Sequence, residues 1–121
     1  MKPQAAILNV YSPKDKLSLH RDVSEEVDRG LVSISLGLSC LFVIGLVDKI
    51  SGEIRHETIL LRSGDVLYMG GESRYAWHGV PRIIPDTCPA YLESWPGREF
   101  PGYEGWMGKR RINLNVRQMY E

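Results

Sequence analysis

The chain is poor in the residues that staple or anchor a small protein. It has two cysteines in 121 residues, Cys40 and Cys88. Their number and spacing suit neither a disulfide framework nor a paired-cysteine metal motif. Cys40 lies in an apolar run and is expected to be a buried thiol, whereas Cys88 precedes Pro89 in a loop. So little cysteine points to a reducing compartment. Charge of one sign is also lacking: Lys+Arg and Asp+Glu are both 15. The total therefore carries no basic footprint of the kind that announces nucleic-acid binding, although a local patch would suffice. Long apolar runs are absent as well. Met1-Lys2-Pro3-Gln4 has no signal-peptide h-region. The most apolar stretch, Leu31 to Val47, is broken by Ser33, Ser35, Gly37 and Ser39, too short and too polar to span a bilayer. The expectation is an intracellular protein with no membrane partner, monomeric by default, with cytoplasm, nucleus and mitochondrion not distinguished. The sequence begins almost directly in strand-like text, which suggests a core cut from a longer chain.

No long amphipathic helix is evident. Short β-type runs alternate with Gly, Pro, Asp and Ser punctuation. Strands are expected over Gln4 to Tyr11, Leu17 to Asp22, Leu31 to Leu36, Leu41 to Val47, Glu53 to Leu61, Asp65 to Met69, Tyr75 to His78 and Arg111 to Met119. Turns fall at Pro13-Lys14-Asp15, at Asp28-Arg29-Gly30 and at a Ser51-Gly52 hairpin tip. Pro81 to Lys109 holds five prolines and several glycines and reads as a long surface insertion, with a short helical piece near Ala90 to Ser94. A further helical turn fits Ser24 to Arg29. The pattern is that of an all-β sandwich or barrel, one domain over residues 1–121.

Three polar constellations stand out. His20 and Asp22 are two apart, so on a strand both project from one face and can meet at one point. A third ligand must come from His56 or His78. His56 sits among Glu53, Arg55 and Glu57, where a solvated role fits, whereas His78 ends a strand between Trp77 and Gly79. Two histidines and a carboxylate on one side of a metal form the facial set of non-haem Fe(II) oxygenases. A lone H-x-D is common by chance, so the reading needs support. In Arg111-Ile-Asn-Leu-Asn-Val-Arg117 the residues Arg, Asn, Asn and Arg share one face, opposite Ile112, Leu114 and Val116. Such a face turned inward is costly unless it meets an anion, and Arg suits carboxylate recognition. The alternative is an exposed edge strand protected by charge. Asn9 and Tyr11 form a third i, i+2 pair, which alone reads equally as routine hydrogen bonding.

In this order the pieces resemble the AlkB family of Fe(II)- and 2-oxoglutarate-dependent dioxygenases. The matching text is Asn9-Val-Tyr11, Lys16-Leu-Ser-Leu-His-Arg-Asp22, Leu31-Val-Ser-Ile-Ser-Leu-Gly37, Gly64-Asp65, Gly70-Gly-Glu-Ser-Arg74, His78-Gly-Val-Pro-Arg82 and Arg111-Ile-Asn-Leu-Asn-Val-Arg117-Gln118. The gap between His78 and Arg111 and the phrase His-Gly-Val-Pro-Arg-Ile look closest to the eukaryotic branch typified by AlkB homologue one. The resemblance implies a double-stranded β-helix, or jelly roll. It places His20, Asp22 and His78 at the iron-ligand positions. It places Arg111 on the distal carboxylate of 2-oxoglutarate with Tyr11 and Asn113 in support, Arg117 and Asn9 nearer the keto-acid end, and Leu17 packed against the co-substrate. The implied activity consumes O2 and 2-oxoglutarate, hydroxylates a methyl group on a nucleobase of alkylated DNA or RNA, and releases formaldehyde, succinate and CO2.

On this resemblance the chain is expected to be the core without the family's N-terminal nucleotide-recognition lid. Base flipping needs stacking and edge contacts, for which Ser24, Arg55 and Trp77 are the candidates. Ser24 stands where some relatives carry an Asp that contacts the base. The same chemistry on a protein or small molecule, or a non-catalytic jelly-roll module, are the alternatives. The intact set of ligands and arginines argues against the last.

Overall fold

The computed structural model describes residues 1–121 and contains eight strands and two short 3-10 turns. They are β1 (Ala5–Tyr11), β2 (Leu17–His20), β3 (Leu31–Gly37), β4 (Cys40–Val47), β5 (Ile54–Leu61), β6 (Val66–Met69), β7 (Trp77–Ile83) and β8 (Arg111–Arg117). Two antiparallel four-stranded sheets result, one ordered β1-β8-β3-β6 and the other β2-β7-β4-β5. The chain passes from one sheet to the other and back, so closure comes from non-local pairings such as β1 with β8, the first strand with the last. This is the expected jelly roll. No helix is long and apolar enough to cross a membrane.

The core lies between the sheets at one end. Leu31, Leu38, Cys40, Leu61, Met69 and Ile83 are almost fully buried there, and Cys40 is the buried free thiol that its apolar run implied. The β4–β5 hairpin turns over residues 48–53. The Asp48 carboxylate accepts the amides of Ile50 and Ser51 at 2.8 and 2.9 Å, an Asx arrangement that closes the tip. At the core end Gly37 has φ +84, and a Cβ there would lie 2.2 Å from the Arg110 carbonyl oxygen, so only glycine permits the approach of β8.

Several boundaries depart from expectation. β7 starts at Trp77 and runs through Pro81 to Ile83, while Gly71–Tyr75 forms a 3-10 turn. Proline is tolerated in β7 because its register against β4 slips between Leu41 and Val43, a bulge that needs no regular ladder donor. The insertion thus begins after Ile83. Neither expected helical piece forms: residues 24–29 are irregular, and residues 90–94 are turns, with the Leu92 and Glu93 amides both donating to the Pro89 carbonyl. β2 stops at His20 and β8 at Arg117, so Asp22 lies beyond its strand and owes its place to something other than the pleat.

Candidate metal centre and its anion pocket

His20 ends β2 and His78 is the second residue of β7, and the two are paired across the ladder. Gly79 makes this possible. A Cβ at that position would lie 2.8 Å from the Leu17 carbonyl oxygen and 3.2 Å from the Leu19 amide nitrogen, so a side chain would push β2 away. The imidazole centroids are 4.4 Å apart. His20 Nδ1 lies 2.8 Å from the Ser18 carbonyl oxygen, and His78 Nδ1 lies 3.0 Å from that of Ala76. A carbonyl oxygen only accepts, so each Nδ1 carries the proton. In the neutral ring the lone pair is then on Nε2.

Both Nε2 atoms face Asp22, at 3.7 Å from Oδ1 for His20 and 3.4 Å from Oδ2 for His78. The three side chains offer ligand atoms that all lie within 4.8 Å of one another. Asp22 Oδ2 is buried and accepts no hydrogen bond. Two nitrogen lone pairs and an orphaned carboxylate oxygen converging on one point repel each other unless a cation lies between them. The set fits a divalent first-row metal bound on one side by imidazole and carboxylate, with the backbone carbonyls orienting the rings. The electrostatics carry the same demand. Burial resists ionisation of Asp22, yet His78, Arg117 and His20 hold its carboxyl down to about 2. Burial works against charge on His78 too, but Asp22 and the Ala76 carbonyl raise its pKa above the ordinary value.

Beside this cluster lies a cavity of about 230 Å³ between the two sheets. One wall is apolar, from Leu17, Leu31, Phe42, Met69 and Val80; the other is β1 and β8, presenting Asn9, Tyr11, Arg111 and Asn113. The β1–β8 register sets Tyr11 opposite Arg111 and Asn9 opposite Asn113. Arg111 is 1% exposed, and its Nη2 donates to Ser35 Oγ at 3.0 Å, while Nε and Nη1 have no partner. Burial pushes the Arg111 pKa down, and nearby Cys40 and Tyr11 are neutral groups whose own pKa values burial raises. The guanidinium therefore has no anion of the protein beside it. A buried cation with two free donors aimed into a cavity is a carboxylate site lacking its carboxylate. Asn113 is oriented by Ser33, whose Oγ accepts from Nδ2 at 2.6 Å.

All nine residues expected to hold metal or co-substrate line this one cavity. Arg117 differs in detail. Nη2 donates to Asp22 Oδ1 at 2.9 Å, Nη1 to Glu25 Oε1 at 2.7 Å and Nε to Asn115 Oδ1 at 3.1 Å, so it holds protein groups rather than waiting free. The three substrate candidates are not on the cavity wall. Ser24 accepts from Arg117 Nη1 at 3.3 Å. Arg55 is exposed on β5 opposite Leu46. Trp77 is 47% exposed on the opposite side of β7 from His78, with the Arg21 guanidinium 5.2 Å from its ring centroid. His56 is exposed and outside the cluster. Sequence reasoning missed Ser33, Ser35, Glu25 and Arg74. Ser33 and Ser35 share a strand face opposite Asn115 and Asn113, a polar alternation that was readable.

A sequence profile described as the 2OG-Fe(II) oxygenase superfamily matches residues 1–117. The chain belongs to the 2OG-Fe(II) oxygenase superfamily. Within it the chain is an AlkB-type member, as the relatives and a solved structure agree. It is 52% identical to the N6-methyladenosine RNA demethylase ALKBH of Cryphonectria parasitica, over 96% of this chain and 57% of that protein. It is 54% identical to the N6-methyladenosine RNA demethylase ALKB1 of Pyricularia oryzae, over 98% of this chain and 36% of that protein. The tRNA demethylase abh1 of Schizosaccharomyces pombe is 44% identical, with 98% and 37% covered. The solved structure of OsALKBH1 superimposes with a TM-score of 0.75 at 33% identity, covering 98% of this chain and 49% of that one. The chain thus spans between about a third and somewhat over half of these curated relatives. Fe(II), 2-oxoglutarate and O2 are the reagents of the superfamily, and His20, Asp22 and His78 are the residues whose ligand atoms could hold the iron.

Proposed function

We propose that this chain is the catalytic core of an Fe(II)- and 2-oxoglutarate-dependent demethylase acting on N-methylated nucleobases, N6-methyladenine first among them, in RNA or DNA. The observation that carries the reading is one cavity joining the two-His, one-Asp cluster to a buried guanidinium with two free donors. Two conditions of the chemistry meet there, a metal site with an open side and a cationic seat for a dicarboxylate beside it. The choice of nucleobase rests on relatives named N6-methyladenosine RNA demethylase and DNA N(6)-methyladenine demethylase.

His20, Asp22 and His78 would hold the iron, which would activate O2, the oxidant that hydroxylates the methyl group while 2-oxoglutarate is oxidised to succinate and CO2. Arg111, with the Tyr11 hydroxyl and the Asn113 amide, would seat the distal carboxylate. The raised pKa of Tyr11 keeps that hydroxyl protonated and able to donate. Leu17, Leu31, Phe42 and Val80 exclude water around the carbon chain. One O2 and one 2-oxoglutarate convert N–CH3 into N–CH2OH, which collapses to N–H and formaldehyde.

The test supplies Fe(II), 2-oxoglutarate and O2 with oligonucleotides carrying N6-methyladenine in RNA, the same base in DNA, or 1-methyladenine, and with methylated histone peptides. Formaldehyde and succinate are measured, and equal amounts are expected. Turnover with a methylated oligonucleotide and its loss in His20→Ala are expected. Turnover confined to the peptides would move the reading to a protein substrate, and no turnover with any of them would overturn it.

A further inference from the structure

Asp22 has no strand to hold it, because β2 stops at His20. What holds it is a closed ring of buried charges. Arg74, in the 3-10 turn Gly71–Tyr75, is 1% exposed. Its Nη1 donates to the Asp22 carbonyl oxygen at 2.8 Å, its Nε to that of Arg29 at 2.7 Å, and its Nη2 to Glu25 Oε2 at 2.7 Å. The other Glu25 oxygen, Oε1, accepts from Arg117 Nη1 at 2.7 Å, and Arg117 Nη2 returns to Asp22 Oδ1 at 2.9 Å. Asp22 is thereby gripped twice, at its backbone by Arg74 and at its carboxylate by Arg117. Glu25, whose side chain is 2% exposed, joins the two guanidiniums.

The chemistry of each partner suits this work. Lys cannot replace Arg74, because three donors in one plane must reach three acceptors on one loop. Glu25 is the only anion touching both guanidiniums. Without it Arg74 would carry an unpaired buried charge beside the site, and Arg117, left with Asp22 as its one anion, could swing toward any incoming carboxylate. With it Arg117 is directed to Oδ1, and Oδ2, which accepts no bond, is left facing the two Nε2 atoms. The Gly70-Gly-Glu-Ser-Arg74 text, which contributes nothing to the cavity wall, acquires a purpose in this ring.

We propose that Glu25 and Arg74 are positioning residues for the metal centre: through Arg117 and the Asp22 carbonyl they fix which Asp22 oxygen faces the metal and how far it lies from His20 and His78. The proposal rests on the metal-site reading above and goes beyond it, since neither residue reaches the metal or the cavity.

Co(II) serves as the probe, because it binds such sites without turnover and its visible absorption reports ligand geometry. Affinity is measured by calorimetry on the folded 121-residue chain, with folding verified by near-ultraviolet circular dichroism. Glu25→Gln keeps the shape and removes the charge; Arg74→Lys keeps the charge and loses the planar set of donors. Each is expected to weaken Co(II) binding by about 10- to 100-fold, the usual effect of losing an outer partner of a metal ligand, and to alter the Co(II) absorption band. Glu26→Gln, at an exposed neighbour, is expected to leave both unchanged. If both variants melt at lower temperature yet bind Co(II) with wild-type affinity and spectrum, the ring is merely structural and the proposal is overturned. It is overturned equally if neither variant folds, since the ring would then serve folding alone. Failure of the unmodified chain to bind Co(II) would remove the metal-site reading itself, a different outcome from wild-type-like variants.

Discussion

The two faces of the β1-β8-β3-β6 sheet reverse the usual arrangement. Toward the second sheet, β8 presents Arg111, Asn113, Asn115 and Arg117, and β3 presents Ser33 and Ser35 opposite them. Toward the outside the registers align three apolar rows: Ala6, Val116, Val32 and Tyr68; Leu8, Leu114, Ile34 and Val66; and Val10, Ile112 and Leu36, of which Ile112 is covered by packing against the buried core. Of these, Leu8, Val10, Val66 and Tyr68 are about half exposed or more. A half-buried strand ordinarily turns its apolar residues inward. Here the inward apolar packing comes from the opposite sheet and from Leu31, Leu67 and Met69 of β3 and β6, while the polar face of β8 lines a cavity. The difference teaches that burial of a polar face, rather than polarity itself, marks the place where a ligand must complete the structure.

The largest effect expected on the inner face comes from the cluster. Asp22→Ala or His78→Ala should abolish metal-dependent succinate formation, a loss exceeding the hundredfold typical of outer partners, with Co(II) calorimetry as the second reading. Arg111→Met comes next, and it should act in opposite directions on function and stability. Losing charge-assisted bonds to a carboxylate is worth about 1.5–3 kcal/mol, so the KM for 2-oxoglutarate should rise by about ten- to a hundredfold. The ligand-free chain should become more stable, because an unpaired buried guanidinium gives way to an apolar side chain; thermal melts without co-substrate measure this. A fall in melting temperature would show that Ser35 alone satisfies Arg111.

The inner face was legible because alternation is a direct consequence of the pleat: Arg111, Asn113, Asn115 and Arg117 had to share a side, and the same holds for Asn9 and Tyr11. The pairing of His20 with His78 followed from ordered motifs rather than from spacing, and the Gly79 contact that permits it is visible only with β2 in place. Asp22 shows where the reasoning ran out. The pleat was expected to aim it, yet it lies outside the strand and is aimed by Arg74 and Arg117, from turns and strands 52 and 95 positions onward in the chain. Contacts of that separation leave no local pattern. The helical readings at residues 24–29 and 90–94 failed for a related reason, since tertiary bonds such as Arg74 to the Arg29 carbonyl override a weak local preference.

Acid should separate the inner face from the rest of the chain. Asp22 and Glu25 both have carboxyl pKa values depressed below the ordinary range. Depression means their contribution to stability is complete above the unfolded value near 4 and is lost as the pH falls toward the folded value, about 2 for Asp22. His78 has the opposite sign: its pKa is raised, so its contribution is complete below the unfolded value near 6.5 and fades as the pH rises through the folded one. The metal-free chain should therefore melt highest between about pH 4 and 6.5. His78→Gln should flatten the alkaline side of that profile and also make the acid side shallower, because His78 leads the groups that hold the Asp22 carboxyl down.

The outer face should respond least in chemistry and most in association. Leu114 is at the centre of the apolar rows, flanked by Leu8 and Ile34 across the ladder. An exposed apolar sheet face of this extent favours contact with other apolar surfaces. Leu114→Thr introduces a β-branched side chain suited to a strand while breaking the patch at its middle. It should leave Co(II) affinity unchanged, because Leu114 points away from the cavity, and shift melting by less than the Arg111 variant does. Sedimentation velocity at increasing concentration should show less self-association than the unmodified chain. A large drop in melting temperature at low concentration would mean that these rows pack within the monomer, and the contrast between a ligand-demanding inner face and an uncovered outer one would fail.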